Sequence, residues 1–422
     1  MHILIATAGS HGDVAPYTGL GARLHRAGHR VVMATHERSA EVVRRSGLGF
    51  HPLPLDRYAT SGAEDTPGHR PGKGAGLSKA EQLRLARELA PEMADAVAEA
   101  CASGAEVLLF SSSLAPLGLV AAEGLQLPCA GVFLQPLEPT REFPPAILDV
   151  PSWGPLANRA LGQCAQSLLA RAFAPGVRHL RRRLGVTREA LVRRRDTWPV
   201  HHGFSPAVVP RPADWRPGME VAGYWWPSEV PGWTPEPRLA DFLQAGPPPV
   251  FVGFGSMAPS DPERLGRLLA RALRLAGVRG VVQSSRAGLS VEGDDVLTVG
   301  EVPHAQLFPQ MAAVVHHAGA GTTAAGLRAG VPAVPVPMML DQPFWASRLT
   351  SLGVGPGRIP FQRLTAENLA AAMGKAVRDP RYRHRARQVA ALLGTEDGAG
   401  RVLAAVERGA GGDRRGDRDP GR

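Results

Sequence analysis

The sequence has few cysteines, few aromatic residues and no long apolar run. Its three cysteines, Cys101, Cys129 and Cys164, are scattered and odd in number, which fits neither a disulfide framework nor a zinc site. We expect them to be small core residues. No run approaches the roughly 18 apolar residues that a membrane-spanning helix requires, and the first apolar run, Ile3 to Ile5, is too short for a signal peptide. The sequence therefore predicts a globular cytoplasmic protein.

Lysine is also scarce, so the positive charge comes almost entirely from arginine. A formal net charge of +10 suggests the hypothesis that the protein binds nucleic acid, because basic patches bind phosphate backbones by releasing counterions. No basic stretch is interleaved with the aromatic residues that stack on bases, and we expect no nucleic-acid partner. The densest stretch, Arg178 to Arg195, is typical of solvated helix faces with Leu180, Leu184 and Leu191 pointing inward. A weak, peripheral contact of this arginine face with an anionic membrane remains open.

Length and pattern predict two α/β domains. A chain of 422 residues exceeds one ordinary core. Short apolar strands alternate with amphipathic helices such as Ala80 to Ala102, which indicates parallel sheets covered on both faces. A stretch with seven prolines, residues 227–249, separates two such series. We predict an N-terminal domain over 1–226, a linker over 227–249, a C-terminal domain over 250–408 and a disordered tail over 409–422.

Prolines also position one strand of the second domain. Pro332, Pro335 and Pro337 lie in the apolar stretch VPAVPVPM. Because proline cannot donate to a sheet ladder, this stretch should form an edge strand. Helices are expected over Pro262 to Ala276, Ala366 to Val377 and Arg381 to Leu393.

A glycine-rich loop joins the first strand to the first helix. Gly9 and Gly12 let the backbone approach a ligand closely, and the start of the following helix favours an anion. Asp13 has two interpretations. It could be an N-cap, a role in which Asp is among the best residues, or a general base that takes the proton from an incoming hydroxyl.

A second loop, HHAGAGTT over residues 316–323, follows another apolar strand and opens another helix. Its glycines, threonine hydroxyls and helix start favour a cradle for phosphate oxygens. The alternative is that the paired histidines only complete the end of a strand. The spacing Gly319-x-Gly321-x-x-Ala324, with Asp341 further on, also fits a dinucleotide-binding pattern. The prolines before Asp341, and the separate glycine-rich loop at the start of the chain, count against an NAD(P) or flavin enzyme.

Over roughly residues 1 to 395 the chain resembles the GT-B glycosyltransferases of bacteria and fungi that act on sterols, glycopeptides and macrolides. The resemblance is carried, in order, by GSHGDVAPY, GHRVVMATHE, GYWWP, GFGSM, VPHAQLFP, HHAGAGTTAAGLRAGVP and DQPFWA. DQPFW and GYWW are most similar to the sterol-glucosyltransferase branch. The resemblance implies an α/β fold with two Rossmann-like domains whose parallel sheets face a central cleft.

The resemblance also implies roles for single residues. Asp13 would be the catalytic base, and Asp341 and Gln342 would bond sugar hydroxyls. The remaining donor contacts would be Ser10 and Gly12 near the phosphates, Gly255, Ser256, His317, Gly319, Gly321 and Thr322 around the diphosphate, and Val302 and His304 beside the nucleobase.

Two departures from the family pattern leave questions open. The family often has arginine where this chain has His11, which is then either a milder phosphate contact or a residue that shares the base role. Plant-type relatives carry a ribose-binding glutamate at the place of Ala325, so the ribose contact is unassigned.

We therefore expect an inverting hexosyltransferase that uses a UDP- or dTDP-linked sugar as co-substrate and needs no other cofactor. A metal is not expected, because the only Asp-x-Asp triplet, at 417–419, lies in the predicted tail. The acceptor would be a small lipophilic molecule or natural product contacted by residues 58–78 and 133–153. The alternatives are a nucleotide-sugar epimerase, a transferase for a cell-wall lipid intermediate, or a catalytically silent binding helper.

Overall fold

The computed structural model describes residues 1–9, 11–54, 79–228, 232–255, 261–284, 289–291 and 293–416, and for a few of these, His11 among them, the backbone alone. Ser10 and Ser256, the triplet at 417–419 and the whole of the predicted acceptor segment 58–78 lie outside the described residues.

The first domain is built on a seven-stranded parallel sheet with the order β3-β2-β1-β4-β5-β6-β7. Alternation along β1 sends Ile3 and Ile5 into one core and Leu4 and Ala6 into another, so helices cover both faces. The strands are β1 (His2–Ala6), β2 (Arg30–Thr35), β3 (Gly49–Pro52), β4 (Val107–Phe110), β5 (Cys129–Phe133), β6 (Val200–His202) and β7 (Met219–Val221). The helices are α1 (His11–Arg26), α2 (Ala40–Arg45), α3 (Lys79–Ala102), α4 (Ala115–Gly124), α5 (Pro155–Leu184) and α6 (Arg188–Thr197).

The second domain has a five-stranded parallel sheet with the order β10-β9-β8-β11-β12. The proline-containing strand β12 lies at its edge, as predicted. The strands are β8 (Val250–Gly253), β9 (Gly280–Gln283), β10 (Val296–Val299), β11 (Ala313–His316) and β12 (Ala333–Pro335). The helices are α7 (Pro237–Gln244), α8 (Pro262–Ala276), α9 (His304–Leu307), α10 (Ala320–Ala329), α11 (Gln342–Ser351), α12 (Ala366–Arg378), α13 (Pro380–Gly394) and α14 (Gly398–Gly416).

Local sequence explains where helices begin and end. The Asp261 side chain accepts a hydrogen bond of 2.8 Å from the backbone N of Arg264, Pro262 occupies the first turn of α8, and Gly277 closes that helix with a φ of 63°. These are the residue types that start and stop helices, and the predicted bounds of α8 are confirmed.

The last helix returns to the first domain. Val402 and Val406 of α14 are buried in the same core as Tyr17 and Leu20 of α1. At the crossing, Ser205 donates a 2.6 Å hydrogen bond to Glu396. The stretch 250–408 thus contains a helix that packs on the first domain, because an amphipathic pattern does not reveal which core it will join.

Other details also differ from the sequence-based expectations. The second half of residues 227–249 forms α7, whose Phe242 and Leu243 pack beside the second sheet. The helix α14 extends to Gly416, beyond the start of the predicted tail. Cys101 is buried, but Cys164 is exposed and is not a core residue. No helix among the described residues is long and apolar enough to span a bilayer.

Candidate active site between the two glycine-rich loops

The first loop folds tightly around Asp13. Gly9 adopts a φ of 152° and its backbone N donates a 3.1 Å hydrogen bond to Nε2 of His36. A side chain at Gly9 would begin 2.5 Å from Cβ of Asp13. Glycine is therefore required both for its φ and because Asp13 lies directly over it.

Asp13 is the third residue of α1, not the residue before the helix. Its half-buried carboxylate accepts a 3.1 Å hydrogen bond through Oδ1 from the side-chain amide of Gln135. An acid in the first turn still stabilises a helix through the macrodipole, so this placement by itself leaves the catalytic role a prediction.

Gln135 connects Asp13 to the neighbouring strand ends. It lies two residues after β5, and its Oε1 accepts a 3.3 Å hydrogen bond from the hydroxyl of Ser112, which follows β4. Ser113 donates to the carbonyl oxygen of Ala8 in the first loop, over 2.8 Å. Sequence reasoning included Gln135 only within a long acceptor segment. The signal that could have identified it is a polar residue just after a buried strand, since the carboxyl ends of parallel strands form the binding edge.

The two histidines of the second loop have different environments. His316 ends β11, is fully buried, and its Nδ1 accepts a 3.1 Å hydrogen bond from the backbone N of Ala318. Burial lowers the pKa of His316 to about 3. The bond holds Ala318 at a φ of 62°, which is uncommon for a residue with a side chain. His316 therefore shapes the loop.

His317 lies between two glycines. A side chain at Gly255, on the loop after β8, would begin 2.8 Å from Cε1 of His317, and one at Gly319 would begin 2.5 Å from its Nε2. Burial lowers the pKa of His317 to about 4. The imidazole is therefore neutral at physiological pH and acts through hydrogen bonds rather than through charge.

The starts of α1 and α10 face each other across the domains. A side chain at Gly321, in the first turn of α10, would begin 3.9 Å from the carbonyl oxygen of Gly12. Thr322 is half-buried beside it. Two helix N-termini that approach this closely favour negative charge between them.

Asp341 lies on the second-domain side of the same space. Trp345 donates a 2.8 Å hydrogen bond from its indole N–H to Oδ2 of Asp341. Burial, and then the charge of Asp13, raise the pKa of Asp341 to about 6. The neighbouring Gln342 is 6% exposed, and its Oε1 accepts hydrogen bonds from the backbone N atoms of Met338 and Met339. The Gln342 carbonyl therefore supports the loop that carries Asp341.

The predicted nucleobase residues lie at a neighbouring edge. His304 stacks on Phe308, with ring centroids 4.4 Å apart and 14° between their planes, and contacts Phe251 edge-on at 5.6 Å. Val302 and Ala325 pack against the same apolar cluster. His304 is close enough to lower the pKa of His316, which links this edge to the second loop.

The structure thus brings Gly12, Asp13, Gly255, His317, Gly319, Gly321, Thr322, Asp341 and Gln342 to one interdomain space, with Val302 and His304 beside it. It does not describe Ser10, Ser256 or the side chain of His11. Those three assignments remain predictions.

Each domain of the chain matches a family model. Residues 3–144 match "Glycosyltransferase family 28 N-terminal domain", and residues 278–404 match "Erythromycin biosynthesis protein CIII-like, C-terminal domain". A sterol 3-beta-glucosyltransferase of Arabidopsis thaliana is 32% identical over 97% of this chain and 68% of its own length. The O-mycaminosyltylonolide 6-deoxyallosyltransferase of Streptomyces fradiae is 33% identical over 96% of this chain and 97% of its own. The chain belongs to the glycosyltransferase family that includes these sterol and macrolide enzymes.

Solved glycosyltransferases have the same fold. The kitacinnamycin enzyme superposes with a TM-score of 0.71 at 20% identity, covering 97% of this chain and 98% of its own. VinC, solved in complex with DTDP, gives a TM-score of 0.64 at 20% identity, with 97% and 99% covered. The expected GT-B architecture is confirmed, and the chain is a glycosyltransferase. The names of the relatives give no support to the alternative of an NAD(P) or flavin enzyme. Some relatives are much longer, and the chain spans 27% of a sterol 3-beta-glucosyltransferase of Cryptococcus neoformans.

Proposed function

We propose that the enzyme is an inverting, metal-independent hexosyltransferase that transfers a sugar from a UDP- or dTDP-linked donor to a hydroxyl of a small lipophilic acceptor. The names of the Arabidopsis and Streptomyces fradiae relatives support sterol- or macrolide-like acceptors, and the DTDP complex of VinC supports a nucleoside diphosphate in the donor half. The observation that carries the proposal is the position of Asp13 opposite the second loop and Asp341.

In this mechanism the acceptor hydroxyl oxygen attacks the anomeric carbon of the bound sugar. The bond from that carbon to the diphosphate oxygen breaks, and its electron pair leaves with the nucleoside diphosphate. Asp13 takes the hydroxyl proton, and the amide of Gln135 fixes the orientation of its carboxylate. A positioned general base of this kind contributes typically 10²- to 10⁴-fold to the rate.

The departing diphosphate would lie at the start of α10. Backbone N–H groups of the first turn, the Thr322 hydroxyl and the neutral imidazole of His317 would stabilise its developing charge. Asp341 would accept hydrogen bonds from sugar hydroxyls, as expected for a carboxylate held on the donor side. Closing the two domains around both substrates supplies near-attack geometry.

The decisive experiment replaces Asp13 by asparagine, which removes the base and keeps a similar shape. Asp13→Asn should retain the melting temperature and nucleoside diphosphate binding, and lose transfer by roughly 10²- to 10⁴-fold. Asp261→Asn is the matched control, because Asp261 caps α8 in the donor domain and asparagine caps as well as aspartate. Transfer by Asp13→Asn at close to the unmodified rate would refute the assignment of the base.

A thermal-shift screen identifies the donor. A ligand at 100 times its dissociation constant stabilises the fold by about 2.7 kcal/mol, so UDP and dTDP can be ranked directly. Incubating the preferred nucleotide sugar with and without acceptor then separates transfer from epimerisation, because only transfer requires the acceptor. A protein that no nucleotide stabilises would contradict the donor site.

A further inference from the structure

Most of the chain's net charge lies on two helices. Residues 155–197, which form α5 and α6, contain ten arginines and two acidic residues, leaving eight positive charges of a formal total of +10. Some of these arginines are neutralised, as in the pairs of Arg159 with Asp214 and Arg194 with Glu123. The rest of the helix pair remains strongly cationic.

Three exposed arginines share one face of α5. At about 100° per residue, Arg178, Arg171 and Arg182 lie roughly 40°, 60° and 80° around the helix axis from Leu156. All three are exposed and form no ion pair with any residue that the structure describes. The buried residues Ala172, Gly176 and Leu180 lie on the opposite face. The charge therefore points away from the core.

Large apolar side chains accompany these arginines. Trp153, just before α5, is 64% exposed, Leu156 is 75% exposed and Leu168 is 56% exposed. We call Trp153, Leu156, Leu168, Arg171, Arg178 and Arg182 the α5 outer face. Leu156 and Arg182 are about 39 Å apart along a straight helix of this length. Leu168 lies three residues before Arg171, whereas Trp153 and Leu156 lie at the N-terminal end of the face. Exposed tryptophan, leucine and arginine on one helix are typical of a helix that lies in a lipid–water interface.

The buried side of α5, opposite the outer face, packs against the acceptor side of the cleft. Asn158 donates a 3.1 Å hydrogen bond to the carbonyl oxygen of Arg141, and a side chain at Gly162 would begin 2.9 Å from Cα of Pro139. Pro139 and Arg141 belong to the segment from Gln135 to Phe143. The ring of Phe143 lies 5.3 Å from that of Phe344 on the donor domain. The start of α5 thus packs against the segment that borders the space above Asp13.

We propose that the α5 outer face docks the enzyme on an anionic phospholipid bilayer. Three of the six residues that define this face are arginines, which follow the apolar residues toward the C-terminal end of α5, whereas the centre of a protein–protein interface is depleted of charged residues. Among the three large apolar residues of this face only Trp153 could stack on a base, which disfavours nucleic acid. The arginines bind acidic headgroups while Trp153, Leu156 and Leu168 enter the interface. Docking does not depend on the transfer reaction, and in the proposed function it would hold the acceptor side against a source of lipophilic molecules.

Vesicle co-sedimentation tests the proposal. The unmodified protein should bind vesicles of mixed phosphatidylglycerol and phosphatidylcholine more tightly than phosphatidylcholine alone, and more weakly as salt is raised. The triple variant Arg171→Gln, Arg178→Gln, Arg182→Gln should bind the anionic vesicles roughly a hundredfold more weakly, since each basic residue near the surface contributes roughly fivefold. The double variant Trp153→Ser, Leu156→Ser should keep salt-sensitive binding and lose the fraction that persists at high salt.

The donor-domain helix α8 provides a matched control. Arg264, Arg267 and Arg274 are exposed there, and Leu275 is 56% exposed. Replacing the three arginines by glutamine and Leu275 by serine removes the same charge from another surface and should leave vesicle binding unchanged. Equal weakening by this control, equal binding to both vesicle types, or no vesicle binding would overturn the proposal. Binding of a single-stranded RNA instead of vesicles, lost in the arginine variant, would assign the face to nucleic acid.

Discussion

Replacing Asp341 by asparagine should stabilise the fold at neutral pH while impairing the enzyme. The pKa of Asp341 rises from 3.8 to about 6, first through burial and then through the charge of Asp13. Each pKa unit corresponds to about 1.4 kcal/mol. The ionised side chain therefore costs the native state roughly 3 kcal/mol at most.

The sign follows from proton binding. A carboxyl group whose pKa is higher in the folded protein binds more protons there than in the unfolded chain between about pH 4 and pH 6. The cost is absent below that window and complete above it. The variant Asp341→Asn should keep the hydrogen bond from Trp345, because an amide oxygen still accepts from the indole N–H.

The assay compares melting temperatures of Asp341→Asn and the unmodified protein at about pH 4.5 and about pH 8. The variant should gain several degrees at the higher pH, given roughly 2–4 °C per kcal/mol for domains of this size, and little at the lower. Asp214→Asn is a control with the opposite expected sign. Hydrogen bonds from Thr140, the Arg141 backbone and Arg159 lower the pKa of Asp214, so its ionised form stabilises the fold. That substitution should therefore lower the melting temperature at about pH 8. An Asp341→Asn protein that melts no higher than the unmodified enzyme at about pH 8 would refute the reasoning.

Further predictions concern the two loops. His317→Ala and Thr322→Ala should each weaken nucleoside diphosphate binding with nearly unchanged melting temperature, whereas an unfolded His317→Ala protein with normal affinity would indicate a structural role. Gln135→Ala should lower kcat with little change in donor affinity and shift the pH profile of transfer, because it removes a donor to Asp13. An unchanged profile would contradict that positioning role. Gly319→Ala should impair nucleotide binding by displacing His317, which a crystal structure of the variant with nucleotide would reveal.

The fold was largely predictable because its signals are local. Short runs rich in β-branched residues, such as Ile3 to Ile5, are typical of strands in a sheet covered on both faces. Asp261, Pro262 and Gly277 mark the ends of α8 by their own chemistry. The edge position of β12 followed from its prolines. The attachment of α14 to the first domain did not follow, because Val402 and Val406 would suit either core.

The site residues were predictable only where a loop has a recognisable sequence motif. The two glycine-rich loops were identified from the sequence, but the contact between Asp13 and Gln135 joins residues 122 positions apart. The insertion of His317 between Gly255 and Gly319 depends likewise on two loops meeting in space. Such contacts arise from strand order, which no local signal encodes.

The pKa values of the second loop restrict how the enzyme can stabilise its leaving group. With the pKa of His316 at about 3 and that of His317 at about 4, neither imidazole carries charge at neutral pH. A nucleoside diphosphate that enters this space would therefore first meet oriented N–H and O–H groups at the starts of α1 and α10, and its own negative charge would then raise the pKa of His317. Fixed dipoles need no reorganisation as negative charge grows on the departing oxygen. Arg38, whose guanidinium donates a 3.4 Å hydrogen bond to the carbonyl oxygen of Gly9, adds one positive charge at the edge of the first loop.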